Sequence, residues 1–486
     1  MAVEVDSTAS GFPYYIVVGL PDATVRESRE RIVSAIKNSG LKLPSSRITV
    51  NLAPADLRKE GGAFDLPIAM GILRATGVAD LPLLGDYLLL GELALDGALR
   101  QVRGALAATV LARNSGFHGI VLPQINASEA SLVRDFPILS AACLSDVISL
   151  LTHGNTESRP MAPPPIDDST PSQDFQEVKG QETAKRALEI AAAGGHNVLM
   201  VGPPGSGKTM LARCLPSIMP DMCLEEIIEC TKIYSAAGLM DGRGAVRIRP
   251  FRAPHHSVSE AGLIGGGSHP KPGEISLAHN GVLFMDEFTE FPRTVLESLR
   301  QPIEDGVVTI SRATQAVTFP CRFMLVAALN PCPCGFFGDS NRQCVCTPLQ
   351  RQKYFNRISG PILDRIDIQL EVPAVHIQEL RSDRMGEPSS RMAERIRQAR
   401  DREAARLPKV RINARMDGRM IKKHCPLDEK MTALLDTASR QMGISARAYH
   451  RILRVARTIA DLEGQERVDQ NHLAEAIQLR SIDRYL

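Results

Sequence analysis

Residues 202–209 read Gly202-Pro203-Pro204-Gly205-Ser206-Gly207-Lys208-Thr209, a complete G-x-x-x-x-G-K-[ST] string. The glycines of such a loop let backbone N–H groups turn inward around phosphate oxygens, and the helix that follows adds partial positive charge at its N-terminus. Lys208 is placed to reach the β- and γ-phosphates of ATP, and Thr209 to offer its hydroxyl to Mg²⁺. A Gly/Pro surface turn is the bland alternative. A second pattern removes most of its force. Val282-Leu-Phe-Met-Asp286-Glu287 is an apolar strand that ends in two carboxylates. Asp286 would hold Mg²⁺ through water, and Glu287 would polarise the attacking water, which points to hydrolysis and not to binding alone.

Two further residues fall where such chemistry needs help. Asn330 ends the apolar run Phe323–Leu329 and can position the water from the other side, unless it only caps the strand. Arg365, in Leu363-Asp-Arg365-Ile-Asp367, precedes another strand. It is a candidate arginine finger toward a neighbour's γ-phosphate, with a surface salt bridge as the alternative. A metal pattern lies close by. Cys332-x-Cys334 and Cys344-x-Cys346 put four thiols in a short stretch, where an even scatter of the ten cysteines would leave about 0.3. Four thiolates can surround a tetrahedral Zn²⁺, although C-x-C is tighter than the usual spacing. Reactive or disulfide-paired cysteines are the alternative. A zinc there would brace the loop after Asn330.

The elements that must hold these groups are legible in outline. A chain of 486 residues, at roughly 100–200 per domain, makes two to four domains. Prolines 160, 163, 164, 165 and 171 mark 153–172 as an extended linker. Before it, 1–152 mixes strands (Phe12–Gly19, Arg47–Leu52, Tyr87–Leu95, Gly119–Leu122) with helices (Thr24–Ser39, Asp65–Thr76, Ala105–Asn114). After it, 173–372 alternates helices with short apolar strands: Asn197–Val201, Gly281–Met285, Phe323–Ala328 and Asp367–Val372. Helices are expected at Gln181–Ala193, Lys208–Leu215 and Arg293–Gln301. Fully apolar strands between helices predict an α/β parallel sheet covered on both faces. The remainder, 373–486, reads as a helical bundle (Met392–Arg406, Pro426–Met442, Arg447–Leu462, Gln470–Arg480).

Composition excludes several classes. Lys+Arg number 57 against 55 Asp+Glu, a net +2, so any nucleic-acid surface must be local. With no Trp and 4% aromatics, base stacking is not expected to dominate. No apolar run is long enough for a membrane helix. Met1–Ser10 has acids and no basic leader, which predicts a cytoplasmic chain with reduced cysteines. Arg391–Lys423 holds twelve Lys/Arg against four acids, suited either to a phosphate backbone or to a solvated face. His255-His256 has no third ligand at suitable spacing, and packing or pore contacts are the expectation.

Val178–Val372 resembles the magnesium-chelatase-like branch of the AAA+ ATPases. The likeness rests on Arg252-Ala-Pro-His-His256, Leu263-Ile-Gly-Gly-Gly267, Pro272-Gly-Glu-Ile-Ser-Leu-Ala-His279, Leu299-Arg-Gln-Pro-Ile303 and Leu329-Asn-Pro-Cys-Pro-Cys-Gly335. The first domain, with Val18-Gly-Leu-Pro-Asp22, Arg26-Glu-Ser-Arg-Glu30 and Ile48-Thr-Val-Asn-Leu-Ala-Pro-Ala-Asp-Leu-Arg-Lys59, looks like the Lon-type domain of the YifB/ComM family. The resemblance implies an AAA+ core with a helical lid, assembled as a homo-hexamer. It implies an ATP-driven helicase that moves single-stranded and branched DNA during recombination, with recombination proteins as possible partners. It also implies that the insertion Pro250–Ser276 and a hairpin at Asp305–Phe319, with Arg312 near its turn, face a central pore. Arg447, after a Ser445 N-cap, matches the family's second sensor arginine. Family members carry additional residues ahead of the stretch matching Val3–Asp6, which leaves the edge of the first domain, and an opening strand there, open.

Lon-type peptidases use a Ser–Lys dyad. Here Ala63 stands at the serine position of the Gly61-Gly-Ala63-Phe-Asp65 turn and Leu106 at the lysine position, so neither nucleophile nor base is present. Nearby Lys59 and Asp56 read as exposed or structural. A chelatase-type motor that remodels a protein partner is the alternative function; the Lon-like domain and the C-x-C pairs count against it.

Overall fold

A computed structural model describes residues 1–9, 14–20, 23–54, 59, 61–153, 173–240, 244–267, 270–311, 316–339, 342–375, 385–408 and 410–480. The proline-rich stretch 154–172, Asp56 and Arg312 lie outside the described residues. Two compact units emerge: Met1–Asp167 together with Leu224–Arg247, and Asp168–Cys223 together with Ile248–Leu486.

Among the described residues the first unit holds one two-stranded sheet and two three-stranded sheets. In one, Ala2–Ala9 runs antiparallel to Ser46–Ala53, which pairs in parallel with Tyr14–Val18 on its other side. Ala2–Ala9 is an edge strand in which half-buried Val3 and Val5 alternate with exposed Glu4 and Asp6. The other three-stranded sheet is parallel, in the order Tyr87–Leu89, Gly119–Pro123, Ile138–Ala141. The expected single strand Tyr87–Leu95 is broken. At Gly91 the chain leaves the sheet, donating to the Ala63 carbonyl (3.1 Å) and accepting from Leu66 N (3.0 Å). A side chain at Gly91 would press on Leu66 and Leu99, so glycine permits this approach. Glu92–Leu93 then pairs with Leu99–Arg100. The apolar helix Asp65–Ala75 lies in the core, with Asp65 buried and bound by Arg31 (Nε–Oδ2 3.0 Å). Lys59 is fully buried and donates to the Pro54 carbonyl, which settles it as structural.

The second unit is built on a five-stranded parallel sheet. Counting only its strands and the first two helices of this unit, these are α1 (Glu182–Gly194), β1 (Val198–Val201), α2 (Lys208–Cys214), β2 (Phe251–Arg252), β3 (Val282–Met285), β4 (Met324–Leu329) and β5 (Ile368–Glu371). The order is β2-β3-β4-β1-β5. Alternate residues serve different cores: Val198, Met200, Phe284, Val326 and Leu370 pack toward α1 and the C-terminal helices, whereas Leu199, Val201, Leu283, Met285 and Leu325 pack on the opposite face. That two-sided burial is why these strands read as continuous apolar runs. The expected helix Arg293–Gln301 is two short helices, Arg293–Ser298 and Arg300–Asp305, ending at Gly306 with φ 67°. Val307–Ser311 and Ala316–Pro320 pair antiparallel as the expected hairpin.

The C-terminal helices are Ser389–Arg406, Gly418–His424, Glu429–Met442, Ala446–Leu462 and Gln470–Gln478. Gly418–His424 was not anticipated, being short and rich in Lys. A buried ionic cluster ties them together. Arg406 and Arg457 both reach Asp461, with Arg457 Nη2–Oδ1 at 3.0 Å, and Asn413 Nδ2 bridges Asp461 Oδ2 (2.8 Å) and Glu403 Oε1 (2.8 Å). Burial pushes the Glu403 carboxyl up to about 8. Of the basic residues from Arg391 to Lys423, Arg395, Arg400 and Arg406 are half-buried, Arg395 on Glu189 and Glu387, Arg400 on the Ala192 carbonyl and Arg406 on Asp461, whereas Arg391, Arg397, Arg402, Arg411, Arg415, Arg419, Lys422 and Lys423 are exposed. Among the described residues, no helix is long and apolar enough to cross a membrane.

Candidate functional site

The phosphate-type loop joins β1 to α2. Gly202 N donates to the Leu329 carbonyl at the end of β4 (3.2 Å). A Cβ at Gly202 would meet the Val372 carbonyl oxygen at 2.0 Å, so only glycine passes between β4 and β5. Gly205 and Gly207 have φ of 77° and 85°, the left-handed region that glycine enters without strain. Ser206 is buried and Pro204 exposed. Gln181, just ahead of α1, donates to the Ser206 carbonyl and fixes the loop from outside.

Lys208 is buried, its Nζ donating to the carbonyls of Gly202 (2.7 Å) and Pro203 (2.9 Å) and lying 3.5 Å from Asn330 Oδ1. Burial pulls its ammonium down to about 8, opposed by the Asp286 carboxylate. Thr209 Oγ1 donates to Asp286 Oδ2 at 2.7 Å. The hydroxyl and the carboxylate converge as a hard-oxygen pair suited to Mg²⁺. The structure therefore brings Asp286 and Asn330, distant in sequence, to Lys208 and Thr209.

Glu287 stands next to this cluster in a left-handed backbone conformation (φ 50°, ψ 47°). That conformation costs a non-glycine residue about 1 kcal/mol or more and concentrates at functional sites. Its carboxylate faces a residue that sequence reading did not assign: His256 Nδ1 lies 3.1 Å from Glu287 Oε2. His256 is held between the His255 ring, 4.0 Å away, and the edge of Phe291. The third partner that the histidine pair lacked in sequence is thus supplied from the end of β3. The only sequence signal was the histidine pair closing an Arg-Ala-Pro turn after β2.

Arg365 is almost fully buried. Its guanidinium binds Glu304 Oε1 (2.5 Å) and the Pro361 carbonyl (2.6 Å). Arg447 is exposed in the first turn of Ala446–Leu462. Ser445 caps that helix by accepting from Ala448 N (3.2 Å), and its hydroxyl lies 3.3 Å from Asp364 Oδ1, so the start of the helix meets the segment that carries Arg365.

The four cysteines converge. Their Sγ atoms lie within 4.8 Å of one another, with Cys332–Cys334 at 3.3 Å and Cys344 3.6 Å from both. Sulfurs at about 2.3 Å from a tetrahedral centre stand about 3.8 Å apart, so the thiol set fits a zinc ion. Backbone N–H groups, that of Phe336 first, pull Cys334 down to about 6, while burial pushes Cys332 up to about 12. This loop is pressed on the phosphate loop: a Cβ at Gly335 would meet Pro204 Cδ at 2.7 Å.

Comparison with known proteins bears on this arrangement. Residues 174–380 match the family described as magnesium chelatase, subunit ChlI; residues 3–126 match subunit ChlI of Mg-chelatase; and residues 386–480 match its C-terminal part. The competence protein ComM of Haemophilus influenzae is 46% identical over 487 residues, covering 98% of this chain and 94% of ComM. YifB of Salmonella typhimurium is 45% identical and YifB of Escherichia coli 44%, each with 98% of this chain and 94% of the relative covered. With a nucleotide-type loop, a carboxylate strand end and a parallel sheet in one unit, and likeness along nearly its whole length, the chain belongs to the YifB/ComM family of magnesium-chelatase-like AAA+ ATPases.

Proposed function

We propose that this ATP-driven motor of the YifB/ComM family is a hexameric DNA translocase, a branch-migration helicase that acts on single-stranded and branched DNA in recombination during natural transformation. The observation that carries the reading is the full-length likeness to a competence protein, joined to a site whose side chains already converge. In this reading Gly202–Gly207 and Lys208 hold the ATP phosphates, and Thr209 and Asp286 hold Mg²⁺. The bound ion neutralises phosphate charge and orients the terminal phosphate. Glu287 accepts a proton from the attacking water, His256 sets where its carboxylate rests, and Asn330, 3.5 Å from Lys208, positions the water from β4. Arg447 reads the nucleotide from the lid. Cys332, Cys334, Cys344 and Cys346 hold a structural Zn²⁺.

We weigh a DNA motor above a protein-remodelling chelatase motor on the cysteine loop braced on Pro204 and the full-length likeness to a competence protein. The first domain, which we read as Lon-like, does not decide between them, since residues 3–126 match subunit ChlI of Mg-chelatase. At that domain's dyad positions, Ala63 is half-buried and Leu106 fully buried among apolar neighbours, a setting for scaffolding and not peptide hydrolysis. The experiment is ATPase rate with no DNA, with single-stranded DNA and with a four-way junction, at stated salt. Stimulation by both DNAs and junction unwinding are expected. Arg312→Ala should keep basal turnover and assembly, lose DNA stimulation, and reduce the salt dependence of binding by about one phosphate contact per engaged subunit. Junction unwinding at the wild-type rate would move the DNA grip to Pro250–Ser276.

Arg365 tests the ring. If it acts across a subunit boundary, it must leave Glu304 for a neighbour's phosphate. Mixing Arg365→Ala with Lys208→Ala protein should then restore part of the turnover that each lacks alone, measured as steady-state ATPase of the co-assembled mixture. No rescue in mixed rings would place Arg365 in a purely internal role.

A further inference from the structure

The helix Leu224–Ala237 follows α2 in sequence, between two parts of the ATPase unit, yet it folds as part of the first unit. Its seat is specific. Leu106, Leu132 and Val133 are buried and pack with Val110, Phe136, Ile227, Ile228 and Ala245. Ser235 is buried on the same helix and accepts a hydrogen bond from Gly104 N (2.9 Å). Thr231, fully buried, accepts from Val246 N (3.0 Å) and so closes the returning chain onto the helix. Past the helix end, Gly238 (φ 76°) lies under Arg103, whose Nε would stand 2.7 Å from a Cβ there. One end of the contact is therefore fixed by the Gly104–Ser235 hydrogen bond, and its centre is apolar. Leu106, the residue at the place of a peptidase lysine, forms part of that centre.

We infer that this helix is an intrachain clamp: the surface around Leu106, Leu132 and Val133 is a docking site whose occupant is Leu224–Ala237 of the same chain. By this clamp the segment Leu224–Arg247 stays joined to Met1–His153 independently of the linker. The chain passes from the ATPase unit into the first unit and back at Cys223–Leu224 and Arg247–Ile248.

The test cuts the linker in the otherwise intact protein. A site for a specific protease is placed within 160–165 of the full chain, and the cleaved protein is run on a sizing column in 1 M NaCl, where exposed ion pairs are screened. The two fragments should co-elute and remain together. Ile227→Asp/Ile228→Asp in the same background should lower co-elution at least about tenfold, since a charge enters an apolar seat. The milder Ile227→Ala/Ile228→Ala pair should give an intermediate loss. Nucleotide binding by the large fragment confirms that each variant is folded. Separation of the wild-type fragments after cleavage would overturn the proposal. So would co-elution that the Asp pair leaves unchanged, since the units would then be joined elsewhere.

Discussion

Lys208→Ala should abolish tight nucleotide binding, while Glu287→Gln should bind ATP and stall. The two side chains sit within one site but have separate duties. Lys208 is buried, its ammonium held by the Gly202 and Pro203 carbonyls and poised over the loop. Removing it deletes the one buried cation of that loop, and affinity should fall by about a hundredfold or more, as when a preorganised charged donor is lost. Glu287 is more than half exposed, strained in backbone and turned to His256. Its amide variant keeps size and shape but has no basic oxygen, so turnover should fall by about 10²–10⁴-fold with nucleotide affinity near wild type. Equilibrium binding of a fluorescent ATP analogue and single-turnover hydrolysis separate the two. Equal turnover by Glu287→Gln and wild type would remove Glu287 from the chemistry.

Metal content is the second large effect. Freshly purified, reduced protein should hold about one Zn²⁺ per chain, and Cys344→Ser/Cys346→Ser should lose it, because two oxygens cannot complete the thiolate tetrahedron. Structural zinc binds with apparent free energies of about 10–16 kcal/mol, which is folding free energy of the loop it closes. Losing it should loosen 332–346 and, through Gly335 against Pro204, weaken nucleotide binding as well. Elemental analysis together with protease sensitivity of the loop checks both. Absence of zinc in reduced wild-type protein would leave the cluster without this role.

Much of the second unit was legible because its signals are local. The loop 202–209, the strand into Asp286–Glu287 and the cysteine spacing each lie within one short stretch. The apolar strands stand out because both faces of the sheet are covered. What stayed hidden depends on long-range pairing. His256 meets Glu287 only because β2 lies beside β3. Arg365, by sequence a candidate finger or a surface salt-bridge residue, is almost fully buried and paired with Glu304, which the helix Arg300–Asp305 brings to it. The basic stretch Arg391–Lys423, open by sequence between a phosphate-binding and a solvated face, is mostly exposed among the described residues, while Arg395 and Arg406 turn to Glu189 and Asp461 on helices elsewhere in the chain. Ala2–Ala9 carries only a short alternation, Val3 and Val5 packing on the core between exposed Glu4 and Asp6, as befits an edge strand paired on one side. The helix Leu224–Ala237 was missed for another reason: its buried face carries Cys, Thr and Ser among its isoleucines, so no clear apolar stripe marks it.

The discontinuity of the first unit also sets an order of events during synthesis. When the ribosome has made the first 153 residues, the seat formed by Leu106, Leu132 and Val133 exists in sequence but has nothing to cover it. The covering helix and its return, Leu224–Arg247, are translated only after the linker, α1, β1 and the phosphate loop have emerged. At about 5–20 residues per second, that interval lasts roughly 5–20 seconds, long on the timescale of hydrophobic collapse. Through that window the residues that Leu224–Ala237 covers in the finished fold, Leu106, Leu132 and Val133, lack their cover. The N-terminal part completes its core only once the nucleotide loop has left the ribosome.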